Sequence, residues 1–95
     1  MANTNVVILD LAHVARIKRV LASLLPHIKS CHRVEAMARG LGYNTYAGMR
    51  TDIADDMRLR KISNEAFSAY LASKGFAVDG NNLLSTAIAK SDLLP

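Results

Sequence analysis

Ninety-five residues allow one small domain, residues 1–95, and its 51% apolar content is enough for a core. Three Tyr, two Phe and no Trp leave the packing to Leu, Ile, Val, Met and Ala, which favours helices over a β-sandwich. The net charge of +4 is concentrated in residues 1–50, where seven basic residues face two acidic ones, and the lone Cys31 excludes an intramolecular disulfide.

The pattern predicts an all-α chain of about five short helices in one compact bundle. Val6-Val7-Ile8-Leu9 does not extend the helical period, because Asp10 would then fall on the apolar face; residues 1–9 are expected as an extended arm. Asp10 is a good N-cap, with Leu9 and Val14 placed as a hydrophobic staple. Val14, Ile17, Val20, Leu21, Leu24 and Leu25 then share one arc, opposite Arg16, Arg19 and Ser23. His13 lies at the edge of that arc. Pro26 stops this first helix near Leu24.

Ser30 is expected to cap a second helix with an apolar stripe of Cys31, Val34, Met37, Ala38 and Leu41. His32, Glu35 and Arg39 face outward on this reading. Gly40 and Gly42 supply the turn. Thr45 caps a third helix expected to reach about Lys61, with a narrow stripe of Tyr46, Met49, Ile53 and Met57 and an Asp56–Arg60 surface pair. A fourth helix follows Ser63, turns Phe67, Tyr70 and Leu71 inward, and ends at Gly75 with Phe76 covering its last turn. Asp79-Gly80 makes a turn, and Asn82 caps a last helix with Leu83, Leu84, Ala87 and Ile88.

The string from Cys31 to Met49, CHRVEAMARGLGYNTYAGM, resembles a pattern of small, mostly uncharacterised bacterial helical proteins and of short helical segments attached to glyoxalase-superfamily proteins. In that pattern a Ser-His pair opens a helix, an Ala-rich stretch ends in Leu-Gly-Tyr, and a polar-aromatic pair opens the next helix. Here Cys31-His32 stands in place of Ser-His, followed by Ala36, Ala38, Leu41-Gly42-Tyr43 and Thr45-Tyr46. The likeness covers about a fifth of the chain. It implies a helical fold and no settled activity.

Residues 30–49 also outline a helix-turn-helix, which either presents a recognition helix to DNA or closes a helical core. Arg39, Asn44, Thr45 and Arg50 are the residues expected to dock on DNA, with Arg16, Arg19 and Arg33 on the phosphate backbone. Asp52, Asp55 and Asp56 in the following helix oppose this, because carboxylates repel phosphates. The alternative is a protein-interaction module, such as an accessory or inhibitor protein of a mobile element, using the Tyr46–Lys61 helix or the Leu83–Pro95 segment. A homodimer sharing its core suits so short a chain.

Other chemistry has little support. His27, Cys31 and His32 are close in sequence, but Pro26 and the helix start at Ser30 separate them and no fourth ligand follows. No metal or other cofactor is expected. The three aspartates spread around a helix rather than forming a tuned pair, and no phosphate loop or nucleophile motif occurs, so no enzyme is expected. No apolar run approaches the roughly 18 residues that span a bilayer, and no signal-peptide core is present; a cytoplasmic protein without a membrane partner is expected.

Overall fold

Asp10 ends one element and starts the next. Its carboxylate accepts from the backbone N–H of His13 at 2.8 Å, and its extended backbone closes a strand on one side while opening a helix on the other. In the computed structural model, which describes residues 6–76 and 83–91, the order is β1 (Val6–Leu9), α1 (Leu11–Leu24), α2 (Ser30–Gly40), α3 (Tyr46–Ala54), β2 (Arg58–Lys61), α4 (Asn64–Ser73) and α5 (Leu83–Lys90). The expected Asp79-Gly80 turn, the Asn82 cap and residues 1–5 of the arm lie outside the described residues.

The chain is mostly helical but not all-α. β1 and β2 pair antiparallel, with Ile8 opposite Leu59 and Leu9 opposite Arg58. The arm is therefore one strand of a ribbon, turning Val7 and Leu9 into the core and Ile8 outward.

The expectation that the third helix reaches Lys61 is corrected at the same place. α3 stops at Ala54, and Asp56 folds back to accept from the N–H of Met57 at 2.9 Å. Continued as helix, this segment would have offered the core only Met57, which instead stands 55% exposed. As a strand it satisfies the backbone of β1 and lets Arg60 donate to the carbonyls of Leu41 and Gly42, both at 3.0 Å. The Asp56–Arg60 pair is thus not made; Asp56 lies 3.7 Å from Arg58.

α2 and α4 form the largest helix contact, closest where Gly40 meets Phe67, and α5 packs on α1 and α4. Val14, Ile17, Leu21, Met37, Leu41, Met49, Ile53, Phe67, Leu71 and Leu84 are buried as the periodicity requires. Leu24, Val34, Tyr46 and Phe76 are only partly buried against them, whereas Ile28, Ala36 and Ile62 join the core. Cys31 is exposed, contrary to its place in the expected stripe. It sits in the first turn of α2, and the inward positions are supplied further along by Ala36, Met37 and Ala38. Nor does Ser30 cap that helix: Lys29 is the N-cap residue, and no side chain bonds to the first turn.

A deletion in the first helix measures this arrangement. Leu21 is fully buried, so Leu21→Ala should lower unfolding stability by about 2–5 kcal/mol in a denaturant titration. A loss under about half a kcal/mol contradicts the placement of α1.

Candidate nucleic-acid interface

The turn between α2 and α3 follows from one residue. Gly42 has φ +90°, a left-handed conformation that costs a side-chain residue energy. From there Gly42 N–H donates to the Arg39 carbonyl at 3.2 Å and Tyr43 N–H to that of Ala38 at 2.9 Å, the two bonds of a Schellman ending. Thr45 then caps α3 by accepting from Gly48 N–H at 2.9 Å, and Glu35 of α2 accepts from Tyr46 N–H at 2.9 Å. Glu35, expected to face outward, in fact locks the start of α3 to α2.

Ala47, Gly48, Thr51, Ala54 and Asp55 form the exposed face of α3. Each flank of that face holds a tyrosine with cations against its ring. On the α1 side, Lys18 Nζ stands 5.3 Å and the Arg50 guanidinium 5.9 Å from the Tyr46 ring centre. On the β2 side, the Arg60 guanidinium stands 4.5 Å from the Tyr43 ring centre. Tyr43 Oη donates to Asp52 at 2.6 Å, and Arg58 Nε lies 3.4 Å from the same carboxylate oxygen. Asp52 is thereby compensated. Behind the turn, Arg39 Nε donates to the Asn44 carbonyl at 2.9 Å and its guanidinium lies 5.5 Å from the Tyr70 ring. An open cleft of about 460 Å³ runs between Tyr43, Asn44 and Tyr70.

The seven basic and polar residues singled out in the sequence divide into three groups. Arg39, Asn44, Thr45 and Arg50 surround the turn and α3. Arg33 is taken up by the fold, donating to the carbonyls of Leu25 and Ile28 where α1 ends and the chain reverses. Arg16 and Arg19 line a separate depression with Lys90 and Ser91 of the α5 end. Arg16 and Lys18, two positions apart on α1, project to different sides, and only Lys18 reaches Tyr46. Lys18, Arg58 and Arg60 were not foreseen. Arg58 and Arg60 could not be, while residues 58–61 read as helix; the Lys18–Tyr46 contact depends on how α1 crosses α3.

Burial, together with the hydrogen bond to Asp52, pushes the Tyr43 phenol from its ordinary 10.0 up to about 12. The same bond, helped by Arg58, holds Asp52 below the usual carboxylate range. Because the folded state keeps Tyr43 protonated, the stability it contributes is full below pH 10.0 and is lost as pH rises toward about 12. The Asp52 contribution runs the other way: it is present at neutral pH and lost on acidification through the carboxylate range. A phenolate absorbance titration should show Tyr43 and Tyr70 both ionising late, each raised first by burial, and Asp52→Asn should bring down Tyr43 alone. A Tyr43 ionisation indifferent to that substitution contradicts the contact.

Among the described residues no three His, Cys, Asp or Glu side chains gather as a metal site requires, and no helix is long and apolar enough to cross a membrane. His32 packs against Phe76 with ring centres 5.4 Å apart, and His13 Nδ1 donates to the Ile8 carbonyl at 2.7 Å. Comparison with known protein families, with curated proteins and with solved structures yields no match to this chain.

Proposed function

We propose that the protein is a small, non-enzymatic DNA-binding regulator that lays α3 in the major groove of a duplex. One observation carries this reading: cations seated on tyrosine rings stand on both flanks of a single exposed helix face. A helix in a groove about 12 Å wide has a phosphate line on either side, and flanking cations suit both. Lys18 and Arg50 serve one line and Arg60 the other. Their stacking on Tyr46 and Tyr43 restricts them in the unbound protein, which reduces the ordering cost of binding. Small Ala47 and Gly48 let the backbone of α3 approach the bases. Asn44, Thr51 and the Thr45 hydroxyl, which can still donate while accepting from Gly48, offer polar contacts to base edges.

The same geometry removes part of the objection raised by the aspartates. Asp52 is occupied by Tyr43 and Arg58, which leaves Asp55 on the exposed face as the main source of repulsion. Duplex binding followed by fluorescence anisotropy across a salt series tests the assignment. Arg50→Ala and Lys18→Ala should each weaken binding and lower the salt slope by about 1, and Asp55→Asn should strengthen binding. An Arg16→Ala, Arg19→Ala double variant should bind as the parent does. Equal losses in both pairs contradict an interface centred on α3.

The second reading, an interaction module that does not bind DNA, draws on a different feature. Ile8, Leu11, Met57 and Leu59 are the large apolar side chains most exposed among the described residues.

A further inference from the structure

We propose that the outward face of the β1–β2 ribbon is where two copies of this chain meet, face to face, about a two-fold axis close to Ile8 and Leu59. The four exposed apolar residues just named all belong to this ribbon or its ends. Ile8 and Leu59 are direct cross-strand partners, 45% and 68% exposed. Met57 precedes β2 by one residue, and Leu11 opens the helix that follows β1. Cross-strand neighbours stand about 5 Å apart, so these side chains form a patch rather than scattered single residues, and a grouped apolar surface marks a contact site.

The charges at the two ends of the patch select the occupant. Asp10 and Asp56, the latter 3.7 Å from Arg58, lie at the Met57 end, while Lys61, paired with Val6, lies at the other. A two-fold axis through the middle sets the acidic end of one copy over Lys61 of the other, and does so twice, as an isologous interface requires. A second copy therefore supplies both the apolar cover and the opposite charges.

Edge-to-edge pairing of the ribbons is disfavoured on both sides. The Ile8 carbonyl already accepts from His13, and antiparallel pairing of two β2 strands about Leu59 would set Arg58 opposite Arg60. The outward face is what remains.

The test is the solution mass of the full chain, by sedimentation and light scattering, in the absence of DNA. The parent should rise with concentration toward twice 10.3 kDa. Leu59→Asp, at an exposed position, should stay at the single-chain mass with an unchanged helical circular dichroism spectrum. Lys61→Glu and Asp56→Lys should each be monomeric alone, since each sets like charges together, and should dimerise when mixed in equal amounts. A parent that stays at single-chain mass overturns the proposal and leaves the ribbon face to a different protein. A dimer indifferent to Leu59→Asp, or a mixture that does not recover, overturns the stated face or its direction. Because no DNA is present, these outcomes are independent of the proposed function: a dimer can form without duplex binding, and a monomer can bind a duplex.

Discussion

Phe67→Ala should remove about 3–5 kcal/mol of unfolding stability, the largest loss expected of any single deletion in this chain. Phe67 is fully buried where α2 meets α4, and it also lies against Gly40. The ring is one of two phenylalanines, and the sequence has no tryptophan to share its volume. Neighbours held by backbone contacts cannot collapse far into the space it leaves: Ser63 N–H donates to the Gly40 carbonyl at 2.7 Å, fixing the separation of α2 and α4. A small domain has only about 5–15 kcal/mol of stability in total, so this variant should unfold at much lower denaturant concentration. A midpoint close to the parent's contradicts the placement of the α2–α4 contact.

Gly40 provides the complementary test by addition of volume. A Cβ at this position would collide with a methyl of Leu84 and come within 3.1 Å of the Ser63 carbonyl oxygen and 3.2 Å of Phe67 Cβ. The Leu84 methyl can rotate away, but the Ser63 oxygen is backbone and Phe67 Cβ is fixed by α4. Glycine is ordinarily a weak residue in a helix, where alanine gains up to about 1 kcal/mol. Here the sign should reverse: Gly40→Ala should destabilise by about 1–3 kcal/mol, the usual cost of overpacking, and Gly40→Val by more. A stabilised Gly40→Ala protein would show that α2, α4 and α5 do not approach so closely at this point.

The helices were largely legible because each carries its own local signals. Asp10 and Pro26 bracket α1, the Gly42 turn ends α2, Thr45 caps α3, and Ser63 accepts from Ala66 N–H at 3.1 Å to start α4. Gly75, with φ +88°, ends α4 and returns Phe76 N–H to the Leu71 carbonyl, as the spacing suggested. β2 was not legible. Arg-Leu-Arg-Lys contains no β-branched residue, and Met57 four positions after Ile53 continues a helical stripe. What makes it a strand is non-local: the backbone of β1 and the carbonyls at Leu41 and Gly42. The same division holds at the candidate interface. Asn44, Thr45 and Arg50 belong to the local pattern around a helix start, so sequence spacing could find them. Arg58, Arg60 and Lys18 reach α3 only through the tertiary fold, and the use of Arg33 as a clamp on the end of α1 cannot be read from its neighbours in sequence.

Binding of a duplex by α3 and its flanking cations should be read in the salt dependence of duplex affinity for the unmodified chain. Each phosphate neutralised on double-stranded DNA releases condensed counterions, so log affinity should fall linearly with log salt. Three phosphate contacts per chain, from Lys18, Arg50 and Arg60, correspond to a slope of about −3, since Arg58 is held by Asp52 and Asp56. A linear decline of that steepness is the expected result; a flat response, or no duplex binding even at low salt, would contradict the DNA-binding account.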